Sequence, residues 1–242
     1  MIVAQIRDLC VLPNCAGIKD GTLFPLAFCP QTTDSPDCKG RKYRHTLSGV
    51  IICDDKRMMQ CYHVGWPRST HDNQMFWNTM VATQPHSHFD QHQCIMGDSA
   101  FVNEWFSVSA FACPPGQHLD FKENTFDKAL SKARVVSKHT IGMLKGRFPW
   151  LRSIHKLMTD NLTTLTDVLL HVEVTVVPHY LMTKEGLEDD IDEYSNDISI
   201  PNDCRQLPDA DKLIQEVHNS DVGDLQRTQL MPYLLEREVD EA

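Results

Sequence analysis

Few positions in this 242-residue chain carry side chains typed and spaced for chemistry. Asp20 sits in Lys19-Asp20-Gly21-Thr22 and Asp98 in Gly97-Asp98-Ser99-Ala100-Phe101, 78 residues apart. Two carboxylates at adjacent strand ends are what a hard divalent cation needs: anionic oxygens with open positions left for water and phosphate. The same residues also read as two solvated turn aspartates, and only the fold decides between these readings. His71-Asp72 precedes a helical stretch. Ser69, Thr70 or Asp72 would cap that helix there, and Asp72 is a further candidate metal ligand. His86, His88, His92 and Cys94 are zinc-ligand types, but their spacing matches no standard zinc signature and suits an ordinary surface loop.

Several segments must position these residues. Residues 15–18 and 23–28 read as short extended pieces on either side of the Asp20 turn. Residues 47–53 (LSGVIIC) are apolar on both faces and predict a central strand. Asp54-Asp55 turns the chain into a hairpin partner over 58–64. The pattern predicts one helix over 70–83 and a strand at 93–96 leading into Asp98, with 102–124 irregular. From Phe126 to Arg152 apolar residues recur at helical steps, while Arg134, Lys138 and Lys145 share another side. Between residues 122 and 156 nine Lys or Arg face two acids, a local charge of +7 in a chain of net −10. Such a face suits a phosphate backbone, with Arg134, Lys145 and Arg147 as candidate DNA contacts. A last helix runs through Leu162, Leu165, Leu169, Val172 and Val176 and is expected to stop before Pro178.

Composition bounds the rest. Residues 183–242 hold seventeen acids against five bases, an acidic tail that accounts for the net charge. That tail reads as a linker with short helices possible near 210–218 and 224–237. Nine scattered cysteines without paired spacing predict reduced thiols of an intracellular protein. No apolar run approaches the roughly 20 residues of a membrane span. The order of strands, helix, strand and two helices predicts an α/β sheet flanked by helices. The expected divisions are a lead-in over 1–14, a domain over 15–182 and the tail over 183–242.

Taken in order, CAGIKDGT (15–22), GRKY (40–43), ICDD (52–55), GWPRSTHD (65–72), MGDSAF (96–101) and SKARVVSKHTIGMLKGRFPWLRSI (131–154) resemble the DDE-type endonuclease domain of PIF/Harbinger transposases, in its fungal-like branch. The resemblance covers about residues 15–182. It implies a ribonuclease-H-like fold and Mg²⁺- or Mn²⁺-dependent cutting and joining of DNA by two aspartates and a glutamate. Asp20 and Asp98 match the two aspartates, and Lys138 stands where the family has its glutamate. An ammonium there removes one negative charge and adds a positive one. The nearest upstream acid, Asp127, lies eleven residues away, about 16 Å along a helix. The expectation is therefore a nuclease fold that holds DNA and cleaves poorly or not at all; the alternative is a non-catalytic DNA-binding or protein-interaction module on the same fold. The resemblance also implies a nuclear location. The short stretch ahead of Asp20 has no room for the helix-turn-helix of related transposases, so DNA recognition is expected to come from a separate partner protein.

Overall fold

A computed structural model describes residues 14–31, 45–90, 92–113, 116, 118–159 and 162–187. The GRKY motif, the possible tail helices, nearly all of the lead-in and most of the acidic tail lie outside them.

Five strands form one mixed sheet: β1 (Cys15–Pro25), β2 (Thr46–Cys53), β3 (Met59–Pro67), β4 (Cys94–Gly97) and β5 (Ser107–Ser109), in the order β3-β2-β1-β4-β5. β1 pairs antiparallel with β2, and β2 with β3. β4 runs parallel to β1, and β5 runs parallel to β4. The two expected pieces around Asp20 are thus one continuous eleven-residue strand, and Asp20 lies in its middle, not at a turn. The reason is tertiary. Gly21 and Thr22 pair with Val50 and Gly49, so the ladder overrides the local turn preference of Asp-Gly.

All of β2 is buried, in keeping with its apolar sequence and its place between two strands. Asp54 closes the β2–β3 hairpin: its Oδ1 accepts from the amides of Lys56 and Met58, both at 2.9 Å, while Arg57 takes φ 63°. β5 was not visible in the apolar pattern, being a three-residue Ser-Val-Ser strand.

Helices cover both faces. On one lie α1 (Asp72–Trp77), α2 (Met80–Thr83) and α3 (Pro85–His88), packing Met75, Phe76 and Ala82 on Val50, Ile52, Ile95 and Phe106. The single helix expected over 70–83 is broken at Thr79, which takes an extended conformation and accepts the Ala82 amide at 3.2 Å as a new N-cap. On the other face lies α4 (Phe121–Arg147), whose Phe126, Leu130 and Ala133 pack on Ile18, Met96 and Val108. It begins five residues earlier than the apolar periodicity indicates. Asp120 and Glu123 form a reciprocal capping box, with the Glu123 amide 2.7 Å from Asp120 Oδ1. It ends at Arg147, and Pro149–Arg152 form a separate 3₁₀ turn.

The last helix, α5 (Leu162–Lys184), passes through Pro178 instead of stopping before it. Proline deprives the Val174 carbonyl of its helical donor, at a residue on the exposed side of the helix. Beyond the proline, Arg147 Nη1 donates to the His179 carbonyl at 3.2 Å and to Thr183 Oγ1 at 2.7 Å, fastening the final turns to the end of α4. Val168, Val172 and Val176 of α5 are buried in a cluster with Leu47, Ile51 and Leu144.

Gly65 of β3 lies directly beneath α5: it has φ +113°, and a Cβ there would stand 2.6 Å from Leu169 Cδ2. Gly65→Ala is expected to cost about 3 kcal/mol, from left-handed strain plus displacement of Leu169, read as a lower urea midpoint at unchanged slope.

Candidate active site

Asp20 and Asp98 are brought together by strand register. Ile18 pairs with Met96 across the parallel β1–β4 ladder, and the two aspartates lie two residues further on, on the same face as that pair. This face is the one covered by α4. Asp98 follows the last residue of β4, and its Oδ1 accepts the Ala100 amide at 3.1 Å. The resulting turn holds its carboxylate at the strand's end.

α4 supplies what stands between them. Arg134 Nη2 donates to Asp98 Oδ2 at 3.1 Å and lies 3.5 Å from Asp20 Oδ1. Ser137 donates to Asp20 Oδ2 at 3.4 Å. Lys138, the next residue, adds a positive field at Asp20. Burial nevertheless raises the Asp20 pKa above its ordinary value, since desolvation outweighs the attraction of Arg134. Arg134 Nε is itself buried without a hydrogen-bond partner.

Asp72, the first residue of α1, approaches from the opposite face. A Cβ on Gly21 would stand 2.7 Å from its Oδ2, so glycine is what lets the carboxylate reach β1. Burial first, then the charges of Asp98 and Asp20, push its pKa up to about 6. Three carboxylates thus influence one another, but Asp72 is separated from Asp20 by the strand that carries both Asp20 and Gly21.

Sequence reasoning missed Lys19. It is fully buried on the Asp72 side of β1, donating to Ser107 Oγ, with its ammonium 3.8 Å from the Phe76 ring centre and 4.4 Å from that of Phe101. Burial lowers its pKa to about 7, against the pull of Asp98. Gly97 makes room for it: a Cβ there would lie 2.6 Å from Lys19 Cε. The only signal in the sequence was a lysine inside an otherwise strand-like run, and the turn reading of residues 19–22 hid it.

The candidate DNA contacts are held differently from the expectation. Arg134 is bound between the aspartates. Lys145 Nζ donates to the Leu23 carbonyl at 2.8 Å, and Arg147 is fastened to the end of α5. The cations that α4 turns to solvent are Lys122, Lys128 and Lys132. Asp127 does not stand in for a missing ligand, because its Oδ1 accepts the Phe111 amide at 2.9 Å. The histidine loop does not converge either. Cys94 is buried in β4, His86 stacks on Trp105 at 4.7 Å, and no group of three His, Cys, Asp or Glu suited to a metal occurs among the described residues.

This donor set does not fit a two-metal centre. Two carboxylates face two cations, Arg134 and Lys138, so the pocket offers a dication no net attraction, and the third carboxylate lies behind the strand. The arrangement instead neutralises the paired aspartates from within the protein.

Because the folded-state pKa of Asp72 is raised, the native state holds its proton more tightly than the unfolded chain. Between about pH 4 and pH 6 the stabilisation from that proton is lost as pH rises. Asp72→Asn is therefore expected to stabilise the protein by about 2 kcal/mol at pH 7.5, with the gain vanishing near pH 4. Urea melts at both pH values check this, and an equal effect at each would refute it.

The profile of the DDE superfamily endonuclease family matches residues 19–177, more than half of the chain. The matched span contains Asp20, Asp72, Asp98, Arg134 and Lys138 and ends within α5. No curated protein and no solved structure matches the chain. The family generally uses a divalent metal, which makes the cation-filled pocket a departure. Sheet order, flanking helices and matched span agree on a ribonuclease-H-like fold, and this chain belongs to the DDE superfamily endonucleases.

Proposed function

We propose that this chain is a transposase-derived nuclease domain of the PIF/Harbinger branch that still holds DNA and has impaired strand cleavage. One observation carries the reading. The Arg134 guanidinium lies between Asp20 and Asp98, and Lys138 follows it by one helical turn at the position of the family glutamate. Phosphodiester cleavage by such a site depends on carboxylates that hold Mg²⁺ or Mn²⁺ against the attacking and leaving oxygens. With a lysine in place of the third carboxylate, Arg134 has no acid within one turn of its own helix and pairs with the aspartates instead. The ordered motif set supports the PIF/Harbinger branch, and with it a nuclear location and a separate DNA-recognising partner.

DNA retention follows from charge. Lys122, Lys128 and Lys132 project from the first half of α4, where phosphates reach them without disturbing the internal pairs of Arg134, Lys145 and Arg147. Replacing all three by glutamate is expected to weaken DNA binding and to flatten the dependence of log K on log salt.

The deciding experiment is a plasmid-nicking assay with Mg²⁺ and with Mn²⁺ on wild type, Lys138→Glu, and Lys138→Glu combined with Asp98→Ala. Lys138→Glu is expected to cut at least about 100-fold faster than wild type, and Asp98→Ala to abolish the gain. Robust wild-type nicking that Asp98→Ala removes would overturn the impaired-cleavage reading. An inactive Lys138→Glu protein that binds DNA as wild type does would favour the second reading, a binding module that has lost more of its catalytic machinery than one residue.

A further inference from the structure

α5 is apolar on two opposite sides. Val168, Val172 and Val176 are buried against the sheet and α4, whereas Leu170, Val174, Val177 and Leu181 are 53%, 62%, 62% and 53% exposed. The exposed four are spaced by four, three and four residues, the step of a helix–helix seam. A surface helix normally turns charge to water on the side away from its core. Here no described residue covers the second stripe, and the helix needs none of it for its own packing.

We propose that this stripe is the interface of a homodimer in which α5 of one copy packs antiparallel on α5 of another. The choice of occupant rests on the symmetry of the stripe itself. Leu170 and Leu181 are equally far from the point between Thr175 and Val176, and so are Val174 and Val177. A twofold axis through that point sets Leu170 opposite Leu181 of the second copy and Val174 opposite Val177, so the patch is complementary to itself. The same axis sets Asp167 opposite Lys184 at both ends of the seam, two ion pairs per dimer. Both residues are exposed, and among the described residues Asp167 pairs with the half-buried Lys156 at 3.0 Å. A parallel pairing would instead set Asp167 against Asp167 and Lys184 against Lys184. Charge therefore selects the antiparallel arrangement. Pro178 and its bend do not obstruct the seam, because Pro178 lies to one side of the four contact residues.

The seam spans about 17 Å of helix, so the dimer is expected to be weak, with a Kd on the order of 10 µM. Sedimentation equilibrium of the full chain from about 1 to 200 µM covers that range. The expected result is a monomer–dimer transition that Val174→Glu/Val177→Glu weakens at least about 100-fold, since the change buries facing charges, while circular dichroism and the thermal midpoint stay as in wild type. Asp167→Lys alone and Lys184→Asp alone are each expected to weaken the dimer about fivefold, and the double exchange to restore it. A wild-type chain that remains monomeric at about 200 µM, including one whose acidic tail lies over the stripe, overturns the proposal. So does a dimer indifferent to Val174→Glu/Val177→Glu. Failure of the double exchange to restore association overturns the antiparallel register.

Discussion

Two carboxylates set side by side on adjacent parallel strands repel each other, and burial strengthens the repulsion. The β1–β4 ladder creates this situation by holding Asp20 and Asp98 in neighbouring positions. Something positive has to stand between them, and in this chain it is a side chain. Arg134 reaches across from α4 because the buried face of that helix, Phe126, Leu130 and Ala133, fixes its height and rotation over the sheet. Counter-charge and helix packing thus support one another: α4 aims the guanidinium, and the guanidinium ties α4 to the strands that carry the aspartates.

The opposite face repeats the theme with the signs changed. Lys19 is a fully buried amine held by a serine hydroxyl and two aromatic faces. Asp72 is a buried acid in the fields of two others. The centre of the sheet is therefore dense in ionisable groups on both sides of one strand, and glycines at 21 and 97 are what give their side chains room. Such an array is costly to keep for stability alone.

Much of this was legible in the residues. The β2–β3 hairpin, the strand before Asp98 and the long basic helix follow from apolar periodicity and turn chemistry, and the ordered motifs placed the chain in the DDE superfamily with its ribonuclease-H-like fold. What could not be read was whatever depended on a distant partner. Asp-Gly at 20–21 predicts a turn until the ladder to Val50 and Gly49 overrides it. Pro178 predicts a helix end until α4 reaches over to fasten the turns beyond it. Arg134 belongs to a cationic ladder in sequence, and only the strand register reveals that it faces inward. The break at Thr79 is the local exception: a threonine N-cap for the Ala82 amide lies hidden inside a run that reads as one continuous helix.

The contact between Gly97 and Lys19 carries a consequence for how this sequence drifts. The lysine chain and the Phe101 ring together occupy the volume that any side chain at position 97 would need. Positions 19, 97 and 101 are thus locked together: anything larger than glycine at 97 requires both the lysine chain and the Phe101 ring to give way. Because positions 19 and 97 adjoin Asp20 and Asp98, the packing behind the aspartates restricts the sequence paths open to the site itself.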